Sequence, residues 1–292
     1  MLNQVVIARG VVVIMKRTVE LASQPGNFLV EIFAFLAIGI SPANAGVDTF
    51  HNLYEKFQSE YWHESTIIND IQTTAFNYAA MTRDAIKPDS LYFRIIKSLE
   101  QVKTPLPVNK ASEAFWINVY NFAAMKLVIE NYPVKSIRDF KISLLRYPWS
   151  KKVIQVGDQV YSLAQIEKDI LLKIYQDPRI IFAVSCASVS CPDRRPGPYT
   201  GGQLDKQLND LIHEFFRNPT KGMVMDKENN TLIISSILKT DSHLFDGSGD
   251  SLKSFLCLYV EVPVCNWIKR KGVAIDYLKH DWTLNDITFA DE

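Results

Sequence analysis

Hydrophobic positions along most of the chain recur at helical spacing. Residues 89–102 predict one helix, which the stretch "TPLPV" ends. The segment "NKASEAFWINVYNFAAMKLVIENYP" is apolar nearly all round, so it predicts a long helix buried at the centre of a domain. An earlier helix is predicted over residues 48–61 from the spacing of Phe50, Leu53, Tyr54, Phe57 and Tyr61.

Two further helices have recognisable starts or faces. Ser162 and Gln165 form a capping box, which predicts a helix from Leu163 to about Tyr175. The helix that follows Gln203 has a core face predicted at Leu204, Leu208, Leu211, Ile212 and Phe215.

Short runs rich in branched residues predict strands. "KKVIQVGDQVYSL" and "GMVMDKENNTLIISS" indicate hairpins, and "VAIDYLKHDW" indicates a late strand. "RIIFAVS", residues 179–185, is fully apolar and predicts a buried strand. Interspersed helices and mostly hairpin-linked strands predict an α+β fold, as a single domain over residues 46–292 around the buried central helix.

The first 45 residues are typical of an export signal. An apolar run, residues 32–40, precedes the small residues of Ala43-Asn44-Ala45, which predicts cleavage before Gly46. The run is too short for a bilayer span, which needs about 20 residues. The basic pair Lys16-Arg17 follows Met15, so we expect translation to start at Met15. An uncleaved N-terminal anchor is the alternative.

Charge argues against a nucleic-acid partner. The chain has 32 Lys and Arg against 32 Asp and Glu, and removing the leader changes the balance by only one charge. A nucleic-acid-binding domain is expected to be basic.

Four cysteines follow the leader: Cys186, Cys191, Cys257 and Cys265. An even number in an exported chain favours disulfides, and the sequence-local pairing is the simplest of three. A catalytic or redox thiol at Cys186, with His243 or His280 as its base, is an alternative. A zinc site is a weaker alternative. Structural zinc ligands are usually paired as C-x2–4-C, a range that Cys186 and Cys191 fit only at its edge and that Cys257 and Cys265 exceed. Free buried thiols are a further alternative.

Several motifs in one order resemble the domain of unknown function 547 family: "AFWINVYN", "NYPVKSI", "YSLAQIEKDIL", "DPRIIFAVSCASVSCP", "YTGGQLDKQL" and "DWTLN". The resemblance covers about residues 110–285, and it implies no established activity. Two positions depart from the family pattern. Lys168 stands where a histidine is usual, and Ser185 stands where an asparagine is usual.

Glu167 falls inside the apolar stripe of its predicted helix, where an unpaired carboxylate is costly. A buried ion pair with Arg138 or Arg179 is the simpler interpretation. A general acid or base with a shifted pKa is the functional one.

Four polar residues are candidates for binding. Asn118 and Asn121 share a face of the central helix, where they either clamp the backbone of the Cys186 loop or line a pocket. Arg194 and Arg195 follow Cys191 and either bind a carboxylate or phosphate or are solvated.

These observations together predict an exported, periplasmic or secreted module that binds a peptide, glycan or protein partner. The alternative is a thiol-dependent hydrolase or transferase that uses Cys186. The expected partner is an unidentified ligand or an envelope protein, and we expect no nucleic-acid partner. Once the leader is removed, we expect the protein to have no stable membrane span. We expect no metal ion and no cofactor.

Overall fold

A computed structural model describes residues 45–245 and 248–291, together with the backbone of two short strands near the N-terminus. The predicted leader, its Met15 start and most of its cleavage motif therefore lie outside the fully described residues. Within the described part, no helix is both long and apolar enough to cross a membrane.

Helices dominate the chain between short strands. They are α1 (Ala45–Tyr61), α2 (Tyr78–Ala85), α3 (Leu91–Glu100), α4 (Lys110–Ile129), α5 (Ile180–Ala183), α6 (Leu204–Arg217), α7 (Ile237–Thr240), α8 (Gly249–Leu256) and α9 (Val262–Ile268), with a π-helix over Gln165–Tyr175.

The strands form small separate sheets. Antiparallel pairs are β1 (Val5–Ala8) with β2 (Val11–Ile14), β3 (Trp62–Ile68) with β4 (Ile71–Phe76), β5 (Lys152–Val156) with β6 (Gln159–Ser162), and β7 (Met223–Asp226) with β8 (Thr231–Ser235), which β9 (Ala274–Leu278) joins in parallel. The α+β fold with hairpin-linked strands is thus confirmed.

Helix α4 is the centre of the domain, as its all-round apolar sequence predicts. Asn109 caps it by accepting a hydrogen bond from the Ser112 amide at 2.9 Å. Nearly every side chain between Ser112 and Ile129 is buried. Neighbouring elements cover all sides of the helix, among them α1, α2, β5 and the π-helix.

The strand predicted over residues 179–185 is wrong, because Ile180–Ala183 form the helical turn α5. Asp177 accepts a hydrogen bond from the Arg179 amide at 2.9 Å, and the Val184 amide closes the turn onto the Ile180 carbonyl at 3.1 Å. Phe182 packs between Phe215 and Phe216 of α6. A short run buried on every side has no period that distinguishes a strand from a helical turn.

Two asparagines of α4 fix the ends of the loop that follows α5. Asn121 accepts from the Ser185 amide at 2.9 Å and donates to the Ala183 carbonyl at 2.9 Å. Three residues earlier, Asn118 accepts from the Tyr199 amide at 2.9 Å and donates to the Tyr199 carbonyl at 2.8 Å. We call residues 184–199 the clamped loop. Because α4 is rigid and buried, both ends of this loop are held at fixed positions.

The C-terminal segment fixes the middle of the clamped loop. The Asn285 amide donates to the Ala187 carbonyl at 3.0 Å, and the Val189 amide donates to the Thr283 carbonyl at 2.9 Å. The Asn285 carbonyl in turn accepts from the Phe76 amide at the end of β4. The "DWTLN" motif therefore joins the clamped loop to the β3–β4 hairpin.

We expect Asn121→Ala to destabilise the fold by about 2–5 kcal/mol, because it leaves two buried backbone groups without partners. Urea unfolding measures the change. Asn131→Ala is the matched control, since the Asn131 side-chain amide bonds only the Leu127 carbonyl and the residue is half-buried; the substitution should cost less than about 1 kcal/mol. Equal free energies of unfolding for the two variants would show that the Asn121 hydrogen bonds do not contribute this stability.

Candidate functional site

The first feature of the clamped loop is a reversal that brings two cysteines together. Ala187 has a left-handed φ of 62°, and the Cys191 amide donates to the Ser188 carbonyl at 3.1 Å. The Cα atoms of Cys186 and Cys191 are consequently 6.5 Å apart, within the range of a disulfide. Cys257, at the C-terminal end of α8, and Cys265, within α9, form a second pair with Cα atoms 4.9 Å apart. These are the two sequence-local pairs.

His280 completes a cluster around the first cysteine pair. Its Nε2 lies 2.8 Å from the Ser188 hydroxyl, which is 3.2 Å from the Cys191 sulfur and 3.4 Å from the Cys186 sulfur. Cys191 is buried and Cys186 is half-buried. Burial lowers the pKa of His280 to about 4, so its imidazole is neutral at pH 7. Of the two histidines predicted as partners, His280 is therefore the one that reaches the cysteines.

The geometry offers two kinds of chemistry at this cluster. Oxidised, the pair closes a turn of the clamped loop. Reduced, the two sulfurs and the His280 nitrogen lie within 4.8 Å of one another, close enough to share a metal ion.

Aromatic rings continue from this cluster along the protein. Trp282 lies 4.2 Å from His280 between ring centroids, and Trp149 packs edge-on against Trp282. The Arg138 guanidinium lies 4.7 Å from the Trp282 ring centre. The Trp149 indole then donates to the Tyr120 hydroxyl at 3.3 Å. Sequence analysis did not identify these tryptophans, since aromatic residues far apart in sequence carry no signal of their proximity.

Glu167 lies at the far end of this aromatic row and forms no ion pair with an arginine among the described residues. The Tyr120 hydroxyl lies beside its carboxyl. Burial, with a smaller contribution from the nearby Asp241 carboxylate, raises the pKa of Glu167 to about 7. The predicted arginine partner is wrong. Arg138 lies over Trp282, and Arg179 pairs with Asp177 at 2.7 Å and Asp205 at 2.6 Å.

Arg194 points into the core. Its guanidinium bonds the Tyr54 hydroxyl and lies 5.5 Å from the centre of the Phe76 ring, and its amide donates to the Thr74 hydroxyl at 3.0 Å. Only 6% of the residue is exposed. The structure therefore gives Arg194 packing and hydrogen-bonding partners inside the protein, as it does Asn118 and Asn121.

Arg195 points the other way, to the border of two hollows. The hairpin groove has a volume of about 560 Å³ and lies between the β3–β4 hairpin, residues 193–196 and α6. The helix hollow, of about 520 Å³, lies between α1, residues 195–198 and Gln207. Arg195 and Pro196 line both. Among the described residues, Arg195 forms no ion pair, and its Nη1 has no hydrogen-bond partner.

Two further polar side chains, Gln58 and His51, lie near Arg195. Gln58 is buried beneath it and donates to the Arg195 carbonyl at 3.4 Å, while its own Oε1 accepts no bond from the described residues. His51 lines the helix hollow. Burial lowers the pKa of His51 to about 4, so it is neutral at pH 7 and its Nε2 accepts from the Asn118 amide at 3.0 Å.

A buried ion pair supports the floor of the hairpin groove. Lys221 is fully buried, and its ammonium donates to Asp193 at 2.7 Å and to the Thr73 hydroxyl at 2.9 Å. The same Asp193 oxygen accepts from the Thr74 amide at 2.6 Å. Lys221 gives no signal in the sequence, because a single lysine after "NPT" reads as a surface residue.

The titration of Glu167 generates a prediction for stability against pH. The folded state raises its pKa, so the native state holds this proton more tightly than the unfolded chain does. Stability is therefore lost as the pH rises from about 4.5 to about 7. We expect Glu167→Gln to gain about 1–3 kcal/mol over the native protein across that window, after allowance for partial solvent screening.

Urea unfolding of both proteins at pH 5 and pH 8 measures this gain. Asp169→Asn is the control, because Asp169 is exposed on the same helix. A pH-independent difference between Glu167→Gln and the native protein would show that the carboxyl titrates normally.

Comparison with known proteins gives one match. No curated protein and no solved structure is detectably similar to the chain. Residues 106–216 match a family described as "Protein of unknown function, DUF547". The matched range holds α4, the π-helix, the clamped loop and most of α6. The similarity to the DUF547 family is thus carried by this central part of the chain.

Proposed function

We propose that this domain is an exported binding module whose ligand is a short peptide with a free carboxylate, received in the hairpin groove against Arg195. The observation that carries the proposal is the half-buried guanidinium of Arg195, which forms no ion pair among the described residues and lies where two hollows meet. Guanidinium groups bind carboxylates through paired, charge-assisted hydrogen bonds.

The charges in the hairpin groove favour a peptide over a glycan. Glu64, Asp210 and Glu214 line the groove together with Arg195 and Arg217. A peptide offers both an ammonium group and a carboxylate, and so complements both signs. Trp62 provides an aromatic ring at one wall, held by its indole bond to the Arg194 carbonyl at 3.1 Å.

Export is supported by the leader pattern and by two cysteine pairs at disulfide distance. Disulfides persist in oxidising compartments such as the periplasm or the outside of the cell. In such a compartment the Cys186–Cys191 bridge stiffens the clamped loop that presents Arg195.

We expect a set of lysine-containing synthetic tetrapeptides with free C-termini to include binders in NMR titrations, and the same peptides with amidated C-termini to bind at least tenfold more weakly. Arg195→Gln should lower the affinity about ten- to a hundredfold, which is the range for losing charge-assisted hydrogen bonds. Arg217→Gln is the matched control, because Arg217 lines the same groove but is 71% exposed; its effect should be small.

Two results would refute the proposal. One is equal binding of the free and amidated peptides. The other is an Arg195→Gln variant that binds as tightly as the Arg217→Gln control.

A second candidate function rests on the contact of Cys186 with Ser188 and His280. If a cellular dithiol reduces the Cys186–Cys191 bridge, the half-buried Cys186 thiol lies 3.4 Å from a hydroxyl that bonds a neutral imidazole. That arrangement could pass the thiol proton through Ser188 to His280, as a thiol-dependent hydrolase or transferase requires. The low pKa of His280 makes it a weak base, which is why we rank this function second.

For this second function we expect Cys186, after mild reduction, to be alkylated at pH 7 at least tenfold faster than the buried Cys191. The His280→Ala variant should slow the alkylation of Cys186, because the proton acceptor is lost. Mass spectrometry of time points gives both rates. Equal rates for the two cysteines, or no effect of His280→Ala, would exclude an activated thiol.

A further inference from the structure

The loop between α4 and β5 exposes its most apolar residues. Leu144 is 86% exposed and Leu145 is 90% exposed. Phe140 and Tyr147 beside them are 60% and 51% exposed. Single exposed apolar residues are common on soluble proteins, whereas four within eight positions form a patch that marks an interaction site.

The backbone presents the two leucines at the tip of a turn. The Arg146 amide donates to the Ser143 carbonyl at 2.8 Å, so Leu144 and Leu145 occupy the two central positions. Arg146 closes the turn with a left-handed φ of 53°. Central turn positions ordinarily hold Gly, Pro, Asn, Asp or Ser. Two leucines there gain almost no burial from the fold.

Basic residues flank this tip in the sequence. Residues 133–152, which we call the basic loop, contain a single acidic residue, Asp139, in a chain whose formal net charge is zero. No basic side chain of the loop forms a salt bridge within the described part of the chain. The basic residues are Lys135, Arg138, Lys141, Arg146, Lys151 and Lys152.

We propose that the basic loop docks the protein on the surface of an anionic phospholipid bilayer. Leu144 and Leu145 would enter the boundary between headgroups and acyl chains, a depth of about 5–10 Å, while the lysines and arginines meet the phosphates. Tyr147 follows the tip, is 51% exposed and suits the headgroup level, where amphipathic aromatic rings concentrate. The positive charge around an apolar tip selects an anionic lipid surface over a neutral one.

This surface is separate from the peptide groove. No residue of the basic loop lines the hairpin groove or the helix hollow. Trp149 connects it to the aromatic row that leads through Trp282 to His280. Docking would therefore hold the edge of the domain that carries this row toward the bilayer, and membrane binding and peptide binding can be tested independently.

Vesicle cosedimentation tests the proposal, with the wild type and all variants compared in the same processed form. Vesicles of mixed phosphatidylglycerol and phosphatidylcholine should bind the wild type, and raising the salt concentration should weaken binding. The Leu144→Ser/Leu145→Ser variant should show a partition coefficient lower by at least about tenfold, because the inserted apolar surface is lost.

A matched control removes equally exposed aliphatic residues elsewhere. Ile86 is 80% exposed and Leu258 is 69% exposed, both outside the basic loop. The Ile86→Ser/Leu258→Ser variant should bind anionic vesicles as the wild type does. Lys141→Gln/Arg146→Gln should weaken binding about twenty-five-fold, from roughly fivefold for each charge at an anionic surface. Thermal unfolding of each variant checks that the fold is intact.

Three outcomes would overturn the proposal. The first is equal binding to purely phosphatidylcholine vesicles, and the second is a leucine variant that binds as tightly as its control. The third is a wild type that ignores both kinds of vesicle but sediments as a dimer that the leucine variant abolishes. That last result would assign the tip to a second copy of the chain.

Discussion

Two asparagine side chains on a buried helix determine where the clamped loop lies. Asn121 holds the start of the loop and Asn118 holds its end, each through a pair of hydrogen bonds to backbone groups. Neither amide is exposed to water, so loss of these bonds would leave buried polar groups unpaired. The apolar environment of α4 thus makes loss of the clamp costly, because water cannot reach the groups to replace the lost bonds.

The clamp also explains why the side chains of two adjacent arginines point in opposite directions. With the loop ends fixed, Arg194 is directed inward onto Phe76 and Tyr54, while Arg195 is directed to the hollows. Asp193 is directed toward the buried Lys221, and the ion pair between them neutralises both charges. The reversal of the backbone between residues 186 and 191 places Cys186 and Cys191 beside Ser188 and His280. One short segment therefore contributes to both candidate sites.

Sequence patterns predicted the elements whose environment is uniform along their length. The central helix follows from its long, nearly all-apolar sequence, and the hairpins and the core face of α6 follow from turn residues and periodicity. Periodicity could not resolve residues 180–183, which are buried on every side. Nor could it identify contacts between distant segments. Tyr120 stands beside Glu167 where an arginine was expected, and Lys221 and Trp282 reach their partners only through the tertiary fold.

Amide hydrogen exchange tests the clamp most directly. The amides of Ser185 and Tyr199 donate to Asn121 and Asn118, so they should exchange only when the whole domain unfolds, at the rate of the core amides of α4. The amide of Leu145, at the exposed turn, provides the fast reference. If the Ser185 and Tyr199 amides exchange as fast as that of Leu145, the loop is not held by α4, and the positions of Arg195 and Cys186 need another cause.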